Sequence, residues 1–349
     1  MGQHHAPRTL RSNPHVLEAA GPVRVDYVEP SDLTHWLATS PDHPIAIVSF
    51  GSPLSQSVSC PVITLDLPQL DGRTQLEVWS SDQPVTVHRE RAFSAAMSGD
   101  ILAGSICLDE EAGGGLAKTT QRAYQLLLAQ LRKLGFPHLW RTWNFFPRIN
   151  EQENGLERYK QFCVGRYQAL ADSLSDFPAS LPAGTAVGTR SGPLQVYVLA
   201  GAHPATHLGN PRQVNAYEYP DTYGPRSPSF ARATVYRSES GSQLFIAGTA
   251  SVVGHASRHP GLPEEQARET LHNLRILIAH ADPYFSAAGS TASTHTGLYK
   301  VYVRNPQHLS SIRATLRDRL LDSSRLLFLQ GDLCRQELLV EIEGLVNSD

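Results

Sequence analysis

The sequence predicts an α+β protein in which mixed β-sheets carry helices on one face. Two observations predict this class. Segments in which apolar residues have the spacing of a strand are followed by segments in which they have the spacing of a helix, and the same order of strands and helices occurs twice along the chain. Units of this kind build an antiparallel-rich sheet with its helices packed on one side. With 349 residues, the chain is long enough for one large or two medium domains with an ample core.

The first copy of the unit lies in residues 1–150, which we assign to an N-terminal half. An extended segment over 92–108 leads through the glycine-rich stretch EAGGGLAKT to a predicted helix over 117–135. The helix has apolar residues at helical spacing and ends at Gly135, a residue type that favours helix termination. A strand over 139–149 closes this copy.

The second copy lies in residues 231–349, the predicted C-terminal half. Two strands over 231–254, with a turn at Ser240–Gly241, precede a helix over 262–281. Pro263 and two glutamates occupy the first turn of that helix, where the helix dipole favours negative charge. A strand over 296–306, a helix over 309–321 and a terminal strand complete the copy.

Residues 151–230 connect the two copies. Tyr159, Phe162, Arg166 and Leu170 recur at helical steps, and a strand is predicted over 194–201. Residues 210–233 contain too many prolines and turn formers for regular structure. Their tyrosines and arginines argue against disorder, so we expect a functional loop.

Composition excludes several classes of function. The net charge of −3 argues against nucleic-acid binding, which needs a basic surface. No apolar run is long enough to cross a membrane, and the N-terminus lacks a signal pattern, so we expect a cytoplasmic protein. The four cysteines form no CxxC pair, which indicates neither a disulfide framework nor a zinc site. The glycine-rich stretch lacks GxxxxGK[ST] spacing, so we expect no nucleotide, metal or other cofactor.

The terminal strand contains the most informative residues. Glu341 and Glu343 interrupt an aliphatic run with two-residue spacing, which places both carboxylates on one face of a strand. Burying an unpaired charge is costly, so these acids are either solvated or held in a cleft for a chemical purpose. Cys334 lies seven residues upstream, within reach of the same space.

Several motifs resemble a known family. The segments IAGTASVVGHASRHPG, EEQARETLHNLRILI and LLVEIEG are similar to the YjgF/RidA-type fold. The segments ENGLERYKQFCVGR and AYEYPDTYGPRSPSFARA, with Cys334 and Glu341, resemble the chorismatases, whose chains contain two YjgF-like halves. This resemblance implies cleavage of chorismate to pyruvate and a cyclic acid, which is a hydroxybenzoate in some members and a cyclohexadiene diol in others.

The resemblance also implies roles for individual residues. Glu341 matches the catalytic acid, and Cys334 accompanies hydroxybenzoate formation. The remaining matches are to substrate-contacting or pocket-shaping positions: Tyr159, Arg166, Tyr219, Arg232 and Ala247. Arg226 is an alternative to Arg232 as the second cationic clamp. Cys334 favours an aromatic product, whereas Ala247 differs from the glycine expected in strict 3-hydroxybenzoate formers. We therefore expect a hydroxybenzoate, as the 3-isomer alone or with the 4-isomer.

The chemistry of chorismate independently requires such residues. An enol ether is cleaved after protonation of its terminal methylene, which needs a carboxylic acid whose pKa is raised by a dry site. The two substrate carboxylates need cationic partners, and arginine binds carboxylates in a bidentate manner. Without the family, Glu341 as a solvated strand residue and Cys334 as a core residue are the alternatives.

Three classes of function remain as alternatives to a hydroxybenzoate-forming enzyme. These are a chorismatase that forms the diol, a RidA-like enamine or imine deaminase, and a non-catalytic ligand-binding module. The resemblance favours a homotrimer, and a monomer that mimics a three-subunit ring is the other assembly.

Overall fold

A computed structural model of the chain describes residues 23–110, 114–238, 241–285, 295–317 and 325–348. Within these ranges the chain forms three main β-sheets and five α-helices. The predicted α+β class is confirmed. None of the helices in the described ranges has both the length and the apolarity needed to cross a membrane.

The N-terminal sheet was not predicted from the sequence. Its strands have the order β1-β4-β2-β3, with β2 and β3 parallel and the other pairs antiparallel. The elements are β1 (Arg24–Val28), α1 (Leu33–Thr39), β2 (His43–Phe50), β3 (Val62–Leu65) and β4 (Leu76–Ser81). Residues 1–22, which include His4 and His5, lie outside the described ranges.

The middle sheet has the strand order β5-β6-β7-β12-β8-β11. Its elements are β5 (Thr86–Glu90), β6 (Phe93–Ser98), β7 (Ile101–Leu108), α2 (Gly115–Leu134), β8 (His138–Pro147), the hairpin strands β9 (Gln152–Glu153) and β10 (Leu156–Glu157), α3 (Arg158–Ser173), β11 (Ala183–Thr189) and β12 (Leu194–Gly201). The elements predicted over 92–108, 117–135, 139–149 and 194–201 are confirmed to within a few residues. Gly135 ends α2 with a φ of 89°, as expected for a glycine stop.

The C-terminal sheet has the strand order β13-β14-β15-β20-β18-β19. Its elements are β13 (Thr206–Leu208), β14 (Ala233–Ser238), β15 (Gly241–Ala250), the hairpin strands β16 (Val252–Val253) and β17 (Ala256–Ser257), α4 (Pro263–Phe285), β18 (His295–Val303), α5 (Leu309–Arg317), β19 (Arg325–Gln330) and β20 (Val340–Ser348). Ser240 of the predicted turn and residues 318–321 of the predicted helix lie outside the described ranges. Residues 210–233 are irregular, as predicted, with two short 3-10 turns.

The middle and C-terminal sheets are two copies of one topology. In both, the fourth strand in spatial order is the last in the chain, and the fifth and sixth strands are parallel. The first copy therefore extends to Gly201 and includes β11 and β12, which lie in the predicted connecting segment 151–230. The N-terminal sheet repeats the last four strands of the same order, so it is a shortened third copy.

The three sheets surround one apolar core, and their helices cover the outer faces. The central core includes Phe50, Trp79, Trp143, Tyr302 and Leu345, which come from all three sheets. Separate apolar clusters fill the space under α2 and α3, under α4 and α5, and under α1. Polar side chains on the inner faces are thus enclosed between sheets.

Candidate active site

A cavity of about 260 Å³ lies where the start of α3, the 210–233 segment, β15 and the turn before β20 meet. This size suits a small-molecule ligand. Five of the predicted site residues line the cavity: Glu341, Cys334, Tyr159, Tyr219 and Arg232.

Glu341 points into the cavity because of the register of β20. This strand lies in the middle of its sheet, between β15 and β18. Val340 and Ile342 pack under the helices, so the alternating residues Glu341 and Glu343 face the interior between the sheets. The prediction that both acids share a strand face is confirmed, and both side chains are buried.

The surroundings of Glu341 favour its protonated form. Burial is the main cause and the nearby Glu343 carboxylate adds to it, and together they raise the pKa of Glu341 from 4.5 to about 8. Arg141, Arg232 and Arg304 oppose the shift only in part. Among the described residues, no side chain or backbone group donates a hydrogen bond to the Glu341 carboxyl group. At neutral pH, Glu341 is therefore a carboxylic acid.

Glu343 has the opposite environment. Its carboxylate accepts hydrogen bonds from Arg141 Nη2 at 2.7 Å, Trp143 Nε1 at 3.0 Å and the Tyr302 hydroxyl at 3.0 Å, and Lys300 Nζ lies 2.8 Å away. Burial alone would raise the pKa of Glu343, but the two cations outweigh it and hold the pKa below its ordinary value. Glu343 is thus a paired structural acid.

Arg232 and Tyr219 form one wall of the cavity. Arg232 Nη2 donates to the Tyr219 hydroxyl at 2.7 Å and to the Val214 carbonyl at 3.1 Å. Arg232 is buried, and its Nε has no hydrogen-bond partner in the described structure. Within the described ranges, no acidic side chain forms a salt bridge with Arg232. A buried cation of this kind is suited to pair with an anionic ligand.

Tyr159 and Arg166 lie on α3, but at different depths. Tyr159 lines the cavity, and burial raises the pKa of its phenol well above the ordinary value. Arg166 does not line the cavity; its guanidinium lies behind it, 3.4 Å from Thr142 Oγ1 and over the rings of Tyr124 and Phe162. Arg166 therefore influences the site through its positive charge, because its side chain is not part of the cavity lining.

Besides Arg166, two predicted residues lie outside the cavity lining. Arg226 is exposed, and its guanidinium stacks over the Tyr167 ring at 4.5 Å, so we leave it out of the cationic clamp. Ala247 is fully buried, and its N–H donates to the Arg232 carbonyl at 2.9 Å. Its neighbour Gly248 lines the cavity instead. A Cβ atom at Gly248 would lie 2.2 Å from Glu341 Oε1, so a side chain at this position would displace the carboxyl group.

Cys334 lies in the turn before β20 and faces the same cavity as Glu341. Burial, followed by the Glu341 carboxyl group, raises the pKa of the Cys334 thiol to about 12. The thiol is therefore protonated at neutral pH, and it is a weak proton donor rather than a thiolate nucleophile.

Arg335 also lines the cavity, although it was not predicted from the sequence. Its guanidinium stacks over the Tyr223 ring at 4.2 Å, and Nη1 donates to Ser257 Oγ at 2.9 Å. In the part of the chain that the structure describes, Arg335 forms no salt bridge. Its position next to Cys334 was the only signal available in the sequence.

Other places in the molecule do not combine these features. A larger cavity of about 610 Å³ is lined by Tyr27, Arg73, Arg313 and other residues, but it contains none of the predicted site residues. Among residues 23–110, 114–238, 241–285, 295–317 and 325–348, no three His, Cys, Asp or Glu side chains are close enough to hold a metal ion. We therefore place the candidate active site at Glu341.

Comparisons with known proteins identify the family of the chain. Residues 77–200 match the family model described as "Chorismatase FkbO/Hyg5-like, N-terminal". Over 284 residues, the chain is 37% identical to the 3-hydroxybenzoate synthase of Streptomyces hygroscopicus, and the match covers 77% of this chain and 81% of that protein. The chain belongs to the chorismatase family. The resemblance found in the sequence is confirmed.

A second relative and a crystal structure match most of the chain. A chorismatase of Streptomyces rapamycinicus is 33% identical, over 84% of this chain and 88% of that protein. A crystal structure of a chorismatase matches with a TM-score of 0.82 and 30% identity, over 94% of this chain and 99% of that one. The fold described above is thus the fold of the family.

Proposed function

We propose that this protein cleaves chorismate to pyruvate and a hydroxybenzoate, with Glu341 as the catalytic acid. The observation that carries the proposal is a buried carboxylic acid, protonated at neutral pH, that faces a cavity. The wall of this cavity contains arginines that form no salt bridge in the described structure. The named activities of the relatives, 3-hydroxybenzoate synthase and chorismatase, support the same reaction.

The first step is proton transfer from Glu341 to the terminal methylene of the enolpyruvyl ether. The methylene becomes a methyl group, and the positive charge develops on the ether carbon as an oxocarbenium ion. The same transfer leaves Glu341 as a carboxylate beside that cation, which stabilises it electrostatically in a dry site. A pKa near 8 keeps the acid form populated at neutral pH while leaving it able to transfer the proton.

Two arginines are placed to bind the substrate carboxylates. Arg232 and Arg335 both line the cavity close to Tyr219; their guanidinium carbons lie 5.7 and 5.5 Å from the centre of its ring. Neither is neutralised by a salt bridge in the described structure, so a dianionic ligand would supply the missing charge. Arg166, behind the lining, adds positive potential, and Tyr159 and Tyr219 present phenol groups to the ligand.

Cys334 is placed to influence which ring product forms beside pyruvate. Pyruvate and a hydroxybenzoate together contain the same atoms as chorismate, whereas pyruvate and the diol contain one water more. Forming the aromatic acid therefore requires that no net water is added, and a protonated thiol facing Glu341 is placed to assist loss of a ring substituent. We propose hydroxybenzoate on this ground, as the 3-isomer with or without the 4-isomer.

The test is to incubate the purified protein, with no metal or cofactor added, with chorismate. Pyruvate is followed by a coupled dehydrogenase assay, and ring products are separated by chromatography. Glu341→Gln should abolish pyruvate release, because the amide keeps the shape but cannot donate an acidic proton. Glu264→Gln, an exposed acid on α4, is the matched control.

Each outcome has a distinct meaning. Pyruvate with an equal amount of hydroxybenzoate supports the proposal. Pyruvate with the non-aromatic diol keeps the catalytic role of Glu341 and refutes the product. Absence of pyruvate from the unmodified protein refutes chorismate cleavage and favours the deaminase or the binding module.

We also infer that a single chain completes the ring of sheets that was expected from three subunits. The three sheets already enclose a common core, so the monomer is favoured over the homotrimer named first from the sequence. Light scattering would distinguish the mass of one chain from that of three. The expected cytoplasmic location stays a prediction, and it fits the four free cysteines of the structure.

A further inference from the structure

A chain of polar contacts runs behind the catalytic acid and is not used in the reaction above. Thr185, a buried residue of β11, lies at its centre. Arg141 Nη2 donates to Thr185 Oγ1 at 2.5 Å and to Glu343 at 2.7 Å. The backbone N–H of Gly248 donates to the same Thr185 oxygen at 2.9 Å. The hydroxyl thus joins a buried ion pair to the strand beside Glu341.

Both acceptor positions of the Thr185 hydroxyl are used. A hydroxyl has two acceptor positions and one proton to donate. Arg141 and Gly248 occupy the two acceptor positions. In the described structure, Thr185 donates no hydrogen bond to Glu341.

Gly248 would otherwise be a competing donor to Glu341. The register between β15 and β20 shifts between Ile246 and Thr249, so the Gly248 N–H lies outside the regular pairing of the sheet. A Cβ atom on Gly248 would lie 2.2 Å from Glu341 Oε1, so this peptide is in direct contact with the carboxyl group. An N–H that loses its partner here belongs to a residue that already packs against a carboxyl oxygen.

We propose that Thr185 is a positioning residue for Glu341: by accepting the Gly248 N–H, it keeps that donor away from the catalytic carboxyl group and fixes the bulge around it. The inference rests on the proposed role of Glu341. It assigns a function in the site to a residue of the middle sheet that does not itself line the cavity.

The inference predicts a specific effect on acidity. The groups that act most strongly on the Glu341 carboxyl group are Glu343 on its own strand, Arg141 on β8, Arg232 before β14 and Arg304 after β18. The cavity that it faces also contains the titratable side chains of Cys334, Glu157, Tyr159, Lys160, Tyr219, Tyr223, Arg335 and Glu337. Thr185→Val leaves all of these residues unchanged; it releases the Gly248 N–H and removes one hydrogen bond of Arg141, which keeps its pairing with Glu343. A hydrogen bond to a carboxylate favours its charged form, so the titration of Glu341 should move to lower pH, by about one unit.

The catalytic consequence is a change in kcat rather than in KM. Displacement of a reacting group by about 1 Å can cost about 100-fold in rate, so we expect kcat of Thr185→Val at neutral pH to fall about 10- to 100-fold with KM nearly unchanged. Thr185→Ser keeps the hydroxyl and should restore kcat. Thr189→Val is the matched control, because Thr189 is a buried threonine of the same strand whose hydroxyl has no hydrogen-bond partner in the described structure.

The deciding measurement is the titration of the Glu341 carboxyl carbon by NMR in the full chain, with the spectrum of Glu341→Gln assigning the signal. A lower midpoint in Thr185→Val, and in Thr185→Ala as a second variant, supports the inference when Thr185→Ser and Thr189→Val retain the original midpoint. An unchanged midpoint in both Thr185→Val and Thr185→Ala overturns it. This measurement does not depend on turnover, so failure of the unmodified protein to release pyruvate would refute the proposed function separately.

Discussion

Replacing Glu341, the proposed catalytic acid, should make this protein more stable, and the gain should depend on pH. Glu341 is 4% exposed, and its pKa rises from 4.5 to about 8 on folding. A carboxyl group whose folded pKa lies above its unfolded pKa contributes its full stability below the unfolded value. It loses that contribution as pH rises, because the unfolded chain releases the proton more readily.

The size of the effect follows from this shift. Each pKa unit corresponds to about 1.4 kcal/mol, so the folded protein is destabilised relative to a non-titrating side chain by about 3 kcal/mol at pH 7. The difference approaches about 5 kcal/mol above pH 8 and vanishes near pH 4. Glu341→Gln removes this titration while keeping nearly the same volume, so its free energy of unfolding should exceed that of the unmodified protein by these amounts.

The assay is urea unfolding of both proteins at about pH 4, 7 and 9, compared through the midpoint and the slope m. Glu264→Gln, at an exposed position in the first turn of α4, should show at most a small loss of stability, of about 1 kcal/mol, and no gain at any pH. A stability difference between Glu341→Gln and the unmodified protein that stays constant from pH 4 to pH 9 would refute the reasoning. It would mean that the carboxyl group does not titrate with a raised pKa.

Four further predictions concern activity and the core. The rate of pyruvate release should fall as pH rises through about 8, because the acid form of Glu341 is lost; a kcat profile flat beyond that pH would contradict this. Arg232→Ala should raise KM for chorismate about 10- to 100-fold, as expected for a lost charge-assisted hydrogen bond, whereas Arg226→Ala should not; equal KM values would disprove the assignment. Cys334→Ala should retain pyruvate release but replace hydroxybenzoate by the diol on chromatography, and an unchanged product would show that the thiol has no such role. Glu343→Gln should lower the free energy of unfolding by about 3–5 kcal/mol in urea, since it leaves Lys300 and Arg141 without their shared partner; a smaller loss would show that the pair is not needed.

The sequence predicted those parts of the fold that depend on local pattern. The helix that ends at Gly135 and the strand over 194–201 were placed correctly, because apolar spacing and a left-handed glycine are properties of neighbouring residues. The shared strand face of Glu341 and Glu343 was also predicted, since a two-residue period is independent of the rest of the molecule.

The sheets as wholes could not be predicted in this way. β11 and β12 belong to the middle sheet although two helices separate them in sequence from its first strands, and the N-terminal sheet was missed. Strand pairing depends on which edges meet after the chain collapses, and periodicity within a strand contains no information about its partner.

Sequence and tertiary structure also decided different parts of the chemistry of the site. The residue types at Glu341, Arg232 and Tyr219 were readable from the sequence and its resemblance to the family. Whether each acid is charged was decided by tertiary structure: Glu343 meets Arg141, 202 residues away in the chain, while Glu341 meets no hydrogen-bond donor among the described residues. Two carboxylates on one strand face thus acquire opposite pKa shifts, because burial and charge pairing depend on how three sheets pack together, not on the order of the residues.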